Sequence, residues 1–444
     1  MSISHSHSLE GKAQGTPHAR KVAISSGIGA TIEAYDFIGY GTAAALYFGK
    51  YFFPSTDPLT GTLLSFATLG VGFAVRPLGG MIGGFLGDKL GRKPVLVASL
   101  ILMGVATFLI GCLPTYQSVG IWAGILLVVV RVIQGLAYGA EWGGAILMTY
   151  EHAPWKSKGK YTGMVQAGFP VGLLLANLVF LVSVHLPGTW AWRVPFLLSI
   201  LLVIVGIIIR TKVPESPVFE EVKARGEIVK NPIVKVLKED WRNIVRGIGL
   251  RVAETAGYAV SVTFMLSYLK SEKLANNTLT LTALCIASGI GIFATYNWGK
   301  LTDRIGRRPV YLFGTIFMLV FAFPMFLLVN TGTGILIVAA VVIAYAVIQN
   351  SLAGSQGSWF PELFNANTRA SGASLAYQFS AVVSGFTPFV VTLLYSAWGW
   401  VGAATPFGTY ALIGLIATLV TKETFGPTER NAAEHNNEAL RVNA

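Results

Sequence analysis

Long apolar runs dominate the chain and recur at a length that suits membrane-spanning helices. A helix needs about 20 mostly apolar residues to cross the hydrocarbon core of a bilayer. Twelve such runs occur in the 444 residues, at 22–49, 60–87, 94–114, 119–149, 160–185, 191–211, 243–269, 278–299, 309–330, 334–357, 369–394 and 398–420. The pattern predicts an all-α polytopic membrane protein with twelve transmembrane helices in two six-helix halves.

Polar segments predict how these helices are organised into domains. The longest polar stretch, 212–242, separates a first bundle at 22–211 from a second at 243–421, and it is predicted to be a linker with a short amphipathic helix. Residues 1–21 and 422–444 are predicted to be tails. No cleavage pattern ends the first apolar run, so we expect no secretory signal.

Composition supports a membrane protein and excludes several other classes. Only 12% of the residues are charged and 53% are apolar, whereas a soluble globular protein carries about 25% charged residues. This balance excludes a soluble enzyme and a disordered chain. The two cysteines, Cys112 and Cys285, lie inside apolar runs, so neither a disulfide framework nor a zinc site is predicted.

The basic residues predict the orientation of the chain. Most Lys and Arg lie in the two tails and in the loops on their side, and the opposite loops hold Lys50, Arg193, Lys270 and Lys273. The positive-inside rule therefore predicts cytoplasmic termini in a bacterial inner membrane. This distribution explains the net charge of +12 without a nucleic-acid partner.

A loop motif occurs once in each predicted half. Residues 84–94 (GFLGDKLGRKP) align with 299–309 (GKLTDRIGRRP), and the Gly, Leu, Asp, Gly, Arg and Pro positions are identical. Such a duplication is typical of secondary transporters with a substrate path between two repeats. We predict that Asp88, Arg92, Asp303 and Arg307 belong to a gate on the cytoplasmic side; an ordinary basic loop is the alternative.

A polar stripe follows one face of the fourth predicted helix. Arg131, Gln134, Tyr138 and Glu141 fall within about 80° of one another at about 100° per residue. Because a charge facing lipid costs several kcal/mol, the stripe must face protein or a water-filled cavity. We predict that Arg131, Gln134 and Tyr138 line a substrate path and that Glu141 belongs to the gate.

The first predicted helix carries Glu33 and Asp36 one turn apart, followed by Tyr40. Two carboxylates in a low-dielectric environment repel each other, so we expect at least one to hold a proton near neutral pH. A proton-coupled carrier needs such a group, and the pair is the predicted proton-coupling site. The alternative is a static ion pair of a carboxylate with Arg131 or Arg76.

The seventh predicted helix repeats this pattern with Arg251, Glu254 and Tyr258 on one face. We predict that these residues, with Tyr40 and Arg76, contribute to the substrate path. An internal ion pair between Arg251 and Glu254 without ligand contact is the alternative. For Arg76, the alternative to substrate contact is a role as a pairing partner.

Motifs of enzymes and of ATP-driven pumps do not occur in the chain. Each Gly-Lys pair is followed by Ala, Tyr or Leu rather than Ser or Thr, so there is no P-loop. HExxH, CxxC and GxSxG sequences are also absent. We therefore expect a protein that is not an enzyme, needs no cofactor or metal, and draws its energy from an ion gradient.

Together these residues resemble the metabolite:proton symporter family of the Major Facilitator Superfamily. The resemblance also includes segments at 73–80, 131–144, 192–198, 214–219 and 360–364. It implies import of a small organic solute, such as shikimate, citrate, oxoglutarate, proline or betaine, together with protons. Residues 141–144 and the Arg251/Glu254 pair look most like the shikimate-type branch. The family usually has an aromatic residue where this chain has Ala34, which we expect to open space beside Asp36.

The sequence thus predicts a proton symporter that imports a small organic acid, such as shikimate, by alternating access. Three arginines within the membrane favour a carboxylate, because a guanidinium binds carboxylates bidentately. A carrier of zwitterions such as proline or betaine, with the arginines in structural pairs, remains an alternative. A transporter-like sensor that binds a solute without moving it is a further alternative.

Overall fold

Twelve long helices, each built of one or more helical segments, account for most of the described chain. The computed structural model describes residues 16–54, 57–90, 92–139, 142–211, 232–364 and 369–426. The first half contains α1 (Thr16–Ala43, Ala44–Phe48 and Gly49–Tyr51), α2 (Pro58–Ala74 and Arg76–Leu90), α3 (Arg92–Cys112), α4 (Trp122–Gly139 and Trp142–His152), α5 (Lys158–Gln166 and Gly168–Ser183) and α6 (Trp190–Thr211).

The second half has the same organisation. It contains α7 (Trp241–Tyr258, Ala259–Phe264 and Met265–Ser271), α8 (Asn277–Ile305), α9 (Arg307–Asn330), α10 (Gly334–Val342, Ile343–Gln349 and Asn350–Glu362), and α11 and α12, which share Arg369–Val420 and are divided at Trp398 and Gly399. Gly399 has a φ of 60°, a left-handed conformation that suits glycine. The prediction of an all-α polytopic protein in two six-helix halves is confirmed.

The lengths and surfaces of the helices suit a bilayer. Eight helices of the described chain are long and apolar enough to span a membrane, counting the α11–α12 stretch from Ser371 to Val420 as one. Val182, Phe293 and Ile335 are each more than 70% exposed at the periphery of the helix bundle, where lipid would cover them. Both α1 and α7 fall outside this set, since each carries charged residues in its middle.

Helix boundaries differ from the predicted ones at both ends of the first half. α1 begins at Thr16, whereas the apolar run suggested a start at 22. The linker predicted at 212–242 contains a short helix, Pro232–Glu239, and α7 begins at Trp241. Residues 1–15, 212–231 and 427–444, which belong to the predicted tails and linker, lie outside the described residues.

Glycines bring α2 and α4 into backbone contact. A Cβ on Gly135 would lie 2.1 Å from the carbonyl oxygen of Gly72, and a Cβ on Gly139 would lie 2.1 Å from that of Arg76. A Cβ on Gly79 would lie 2.1 Å from the carbonyl oxygen of Leu136. Small residues permit this approach, as is usual between helices in membranes. The contact fixes Arg76 of α2 beside the polar face of α4.

The two halves meet most closely between α5 and α8 and between α2 and α11. Between α5 and α8, a Cβ on Gly299 would lie 2.8 Å from the Cα of Gly163. Between α2 and α11, a Cβ on Gly70 would lie 2.4 Å from the ring of Phe386. We call the surface where α8 and α9 connect the inner side, because it is predicted to be cytoplasmic, and the opposite surface the outer side.

Replacing Gly135 by alanine tests the importance of the α2–α4 contact. The added methyl group would overlap the backbone of Gly72, and overpacking of this kind costs about 1–3 kcal/mol. We expect Gly135→Ala to lower the melting temperature of the detergent-purified protein by several degrees.

Gly289→Ala is the matched control for this substitution. Gly289 also lies in a membrane helix, but a Cβ there would meet nothing within 4 Å. Alanine favours a helix by about 1 kcal/mol over glycine, so the control should melt at the same or a higher temperature. Equal melting of the two variants would show that the close α2–α4 contact does not stabilise the fold.

Candidate functional site

A cavity lies between the two halves near the middle of the helices. About 830 Å³ of space is left among residues of α1, α2, α4 and α5 from the first half and α7, α10 and α11 from the second. Its walls are rich in aromatic side chains, namely Phe37, Phe73, Tyr138, Phe169, Tyr258, Tyr345 and Tyr377. We call this space the central cavity. Its mixture of apolar walls with a few polar groups suits a small organic solute.

Arg76 is a cationic group in the wall of the central cavity. Its guanidinium lies 3.7 Å from the ring centroid of Phe73 and 3.7 Å from that of Tyr138. The side chain is only 4% exposed, and its Nε has no hydrogen-bond partner among the described residues. Stacking on rings compensates part of the cost of burying the charge.

Arg251 lies in the opposite wall and is more fully engaged. It forms an ion pair with Glu254 across 3.0 Å and donates a hydrogen bond to Gln356 of α10. Its guanidinium also lies 3.5 Å from the ring centroid of Tyr377. Glu254 in turn accepts a hydrogen bond of 3.2 Å from Gln349. The alternative of an internal ion pair therefore matches the observed contacts, although both residues also line the central cavity.

A second, smaller cavity adjoins the central one. It measures about 220 Å³ and is lined by Asp36, Phe37, Met103, Arg131, Gln134 and Gly135, together with Arg76 and Tyr138. We call it the side cavity. Since Phe37, Arg76 and Tyr138 line both spaces, these three residues separate Asp36 from the central cavity.

Asp36 is a buried carboxyl without a hydrogen bond in the described part of the chain. It is 2% exposed, and neither carboxylate oxygen has a partner there. The nearby Thr107 hydroxyl donates to the carbonyl of Met103 at 2.9 Å, so its hydrogen is already used. Glu33, also buried at 4% exposure, and Arg131 are close enough to act electrostatically on Asp36. A buried carboxylate in such surroundings is costly unless it is protonated or paired.

Arg131 is held by neutral groups. It donates a hydrogen bond of 2.5 Å to Gln134, which donates one of 2.7 Å to Thr107. Its guanidinium lies 4.0 Å from the ring centroid of Tyr40, whose hydroxyl is 2.6 Å from that of Thr68. Arg131 and Gln134 thus line the side cavity, and Tyr40 lies behind them.

The space expected beside Asp36 at Ala34 is filled by another helix. Ala34 is fully buried, and a Cβ on Gly172 of α5 would lie 2.5 Å from its methyl carbon. The small side chain therefore allows α1 and α5 to approach each other. The expectation that Ala34 opens space was wrong, because the neighbouring backbone occupies it.

Asp303 joins the two halves on the inner side. Its carboxylate accepts hydrogen bonds of 2.8 Å from the backbone N–H groups of Gly159 and Lys160, at the start of α5. Arg307, which is fully buried, donates to Asp303 at 2.8 Å and forms two hydrogen bonds with Glu362, of 3.1 and 3.3 Å. A carboxylate is stabilised at a helix N-terminus by the exposed N–H groups and the helix dipole.

The segment after α12 completes this contact. Glu423 accepts hydrogen bonds from the backbone N–H groups of Arg307 and Arg308 at 3.0 and 2.9 Å. The buried ring of Phe425 lies 4.4 Å from the Arg307 guanidinium and 6.0 Å from the ring of Trp155 in the first half. The equivalent motif of the first half cannot be compared, since the side chains of Asp88 and Arg92, and the whole of Glu141, lie outside the described residues.

Contacts also join the halves on the outer side. The ammonium group of Lys270 in α7 donates a hydrogen bond of 2.6 Å to the carbonyl of Leu46 in α1. A Cβ on Gly41 would lie 3.3 Å from the hydroxyl of Thr263. The central cavity therefore has contacts between the halves on both of its sides.

Comparisons with known proteins agree with this architecture. The family model of the Major Facilitator Superfamily matches residues 27–388. The chain belongs to the Major Facilitator Superfamily. It is 38% identical over 416 residues to the shikimate transporter of Escherichia coli (strain K12), a match that covers 91% of this chain and 95% of that protein. It is also 34% identical over 421 residues to the proline/betaine transporter of the same strain, a match that covers 91% of this chain and 84% of that protein.

Solved structures support the same fold. The structure of the proton:xylose symporter XylE bound to 6-bromo-6-deoxy-D-glucose aligns with a TM-score of 0.73 at 16% identity, and the alignment covers 92% of this chain and 97% of that one. At this identity the likeness concerns the fold. As a member of the Major Facilitator Superfamily, the chain is a membrane transporter of solutes and not an enzyme.

Sequence reasoning missed several uncharged polar residues of this transporter. Gln166, Gln349 and Asn350 line the central cavity, and Gln356 binds Arg251. The sequence argument that a charged side chain in an apolar helix must face protein or a cavity also applies to amides, because amide side chains inside apolar helices are costly to bury. Applied to them, it would have found these residues.

Three residues of the inner-side contact also escape prediction. Glu362 enters the sequence analysis only within a segment of the family resemblance, and no pattern in the sequence points to Glu423 or Phe425.

Replacing Asp303 by asparagine tests the contact on the inner side. The amide keeps one acceptor oxygen, so one of the two bonds to the start of α5 and the ion pair with Arg307 are lost. We expect the inner side to open more often. The readout is alkylation of Thr162→Cys in a protein whose Cys112 and Cys285 are serine, because Thr162 of α5 is fully buried against Gly357 of α10. The loss of one hydrogen bond predicts labelling at least about fivefold faster.

Asp57→Asn is the control for this experiment. Asp57 caps the start of α2 within one half, and hydrogen bonds from Thr60 and Leu59 hold the pKa of its carboxyl below the usual range. This substitution removes a comparable carboxylate without touching the contact between the halves, so Thr162→Cys should label at the original rate. Unchanged labelling in Asp303→Asn would contradict a role of Asp303 in closing the inner side.

Proposed function

We propose that this transporter is a proton symporter that imports a small organic carboxylate, such as shikimate or a related acid, across the bacterial inner membrane. The observation that carries the proposal is the position of Arg76. It lines the central cavity, where a solute would bind, and also the side cavity, which contains the buried carboxyl Asp36. One cationic residue thus lies between a site for an anion and a site for a proton.

Asp36 is the proposed carrier of the coupling proton, with Glu33 close by. A carboxylate without hydrogen bonds in a buried space is unfavourable, and protonation removes its charge. When Asp36 is protonated, Arg131 loses a negative neighbour, and the local charge becomes more positive. This excess positive charge favours binding of an anionic solute near Arg76, so that proton and solute bind together.

The charge of the central cavity favours a carboxylate as the solute. Arg76 and Arg251 both line it, and Glu254 compensates Arg251. This leaves Arg76 as the group able to bind an anion, with N–H groups that match a carboxylate. Tyr138 and Tyr258 offer polar groups along the same path. The 38% identity to a shikimate transporter supports this class of solute.

Alternating access would occur by rocking of residues 22–211 against 243–421. Asp303 and Arg307 are the proposed gate on the inner side, and Asp88, Arg92 and Glu141 are proposed to act with them. Opening on that side would break the bonds from Asp303 to the start of α5. The excess of Lys and Arg in the inner loops supports cytoplasmic termini.

A carrier of zwitterions is the second candidate. The aromatic rings of the central cavity could bind a quaternary or secondary ammonium group, and the ion pair of Arg251 with Glu254 reduces the net positive charge. The 34% identity to a proline/betaine transporter supports this candidate. It differs from the first in one measurable way, namely the charge of the solute.

Solute-induced proton uptake into proteoliposomes tests both candidates. The panel contains shikimate, other hydroxy acids, dicarboxylates, proline and betaine, and the readout is the pH outside the vesicles. Alkalinisation on addition of a carboxylate is the expected result. A response to zwitterions alone would support the second candidate, and no response to any compound would favour a sensor that binds without transport.

Asp36→Asn separates proton coupling from solute movement. The amide has the shape of the acid but cannot take up a proton, so accumulation of solute driven by a proton gradient should be lost. Exchange of labelled for unlabelled solute, which needs no net proton movement, should continue. Asp57→Asn, outside the membrane-spanning part of α2, should retain both activities. Equal loss of accumulation and exchange in Asp36→Asn would contradict the coupling role.

A further inference from the structure

Cationic and aromatic side chains alternate across the inner side of the molecule. The guanidinium of Arg307 lies 4.4 Å from the ring centroid of Phe425, and that ring contacts Trp155 with centroids 6.0 Å apart. The ammonium group of Lys158 lies 4.4 Å from the ring centroid of Trp155 and 3.8 Å from that of Tyr150. We call this row the inner ladder, and its members in order are Arg307, Phe425, Trp155, Lys158, Tyr150 and Arg369.

The inner ladder passes between the two halves twice. Trp155, Lys158 and Tyr150 belong to the first half, at the end of α4 and the start of α5. Phe425 follows α12 and Arg369 begins α11, so both belong to the second half. The crossings are the ring contact of Phe425 with Trp155 and the 5.2 Å contact of Arg369 with Tyr150. A rocking motion that opens the inner side would therefore break both contacts.

Lys158 holds the ring of Trp155 in the first half. Its side chain is only 4% exposed, and lysine is almost never fully buried unless it is paired. Contact with the rings of Trp155 and Tyr150 stabilises the buried ammonium group. The same contact ties Trp155, which lies between α4 and α5, to the buried Tyr150 at the end of α4.

The partner ring is held by the second half. Phe425 is buried, and its ring lies on Arg307. In the two residues before it, Thr424 donates a hydrogen bond to Glu362, and Glu423 accepts hydrogen bonds from backbone N–H groups at the start of α9. Because each ring is held by its own half, the contact between the rings depends on how the halves are placed relative to each other.

We propose that Trp155 is a further gate residue of this transporter, and that its contact with Phe425 stabilises the closed inner side. The inference rests on the proposed alternating access and is independent of which solute is transported. Contact between two aromatic rings is favourable beyond the area that it buries. Loss of the Trp155 ring therefore shifts the equilibrium towards an open inner side.

Two cysteine reporters distinguish this shift from a general loosening of the fold. Each is placed in the full-length protein whose Cys112 and Cys285 are serine. Thr162→Cys reports on the inner side. Thr263→Cys reports on the outer side, because Thr263 is buried and a Cβ on Gly41 of α1 would lie 3.3 Å from its hydroxyl. Under the proposed orientation, a membrane-impermeant maleimide reaches the inner side in inside-out vesicles and the outer side in right-side-out vesicles.

The two reporters should respond in opposite directions. We expect Trp155→Ala to raise the labelling rate of Thr162→Cys about five- to tenfold. It should lower the labelling rate of Thr263→Cys, because alternating access opens one side at a time. Trp155→Phe keeps a ring and should label both reporters at nearly the original rates. Faster labelling of both reporters by Trp155→Ala, or no change at Thr162→Cys, would refute the proposal.

Trp298→Ala is the matched control for the loss of a tryptophan. The ring of Trp298 in α8 stacks on Phe313 in α9 with centroids 5.1 Å apart, and both residues belong to the second half. Its removal leaves the contact of Phe425 with Trp155 in place, so both reporters should label at the original rates. Equal acceleration at Thr162→Cys by Trp298→Ala would contradict a specific role of Trp155.

Combining Trp155→Ala with Phe425→Ala tests whether the two rings act as one contact. If they do, the double variant accelerates labelling of Thr162→Cys by less than the product of the two single effects. The full product would refute the ring contact as part of the gate.

Asp303→Asn separates this inference from the proposed function. If Asp303→Asn accelerates labelling of Thr162→Cys and Trp155→Ala does not, the role of Trp155 is wrong while the gate at Asp303 stands. If neither variant accelerates it, both the role of Trp155 and the proposed gate on the inner side are wrong.

Discussion

Three arginines buried among membrane helices impose the constraint on which the rest of the structure depends. A guanidinium in the hydrocarbon region costs about 2.5–3.5 kcal/mol or more, so each must be compensated by its surroundings. Each has an aromatic ring centroid within about 4 Å: Phe73 and Tyr138 for Arg76, Tyr40 for Arg131 and Tyr377 for Arg251. Two of them also donate to glutamine side chains, Gln134 and Gln356. Rings and amides thus replace water around the three arginines, and Glu254 in addition neutralises the charge of Arg251.

This compensation requires close packing of particular helices. The ring of Tyr138 reaches Arg76 only because α2 and α4 touch along their backbones at Gly72, Gly135 and Gly139. A larger residue there would move the ring away from the guanidinium and leave the charge uncompensated. The glycines therefore determine the electrostatics of the cavities as well as the shape of the bundle.

The fold could be predicted from the sequence more completely than the site. Helix number and the division into halves follow from apolar runs, because the bilayer imposes one length on every spanning helix. Helical periodicity also placed Arg131, Gln134 and Tyr138 on one face. It could not show that Arg131 and Gln134 face the side cavity while Tyr138 lies between the two spaces. That division depends on the angles at which α1, α2 and α4 pack. Residues that are far apart in the sequence set these angles.

Separation of Asp36 from the central cavity also has a mechanistic consequence. If the proton and the solute shared one open space, water accompanying the solute could exchange protons with Asp36 freely. Phe37, Arg76 and Tyr138 stand between them, so under the proposed function the two sites would act on each other through the charges around these residues rather than through shared water. In the proposed function, a charge on Asp36 acts on Arg131, and the solute would bind at Arg76, which borders the same side cavity. Protonation of Asp36 would then leave more positive charge around that cavity, and this excess would favour an anionic solute without direct contact between the proton and the solute.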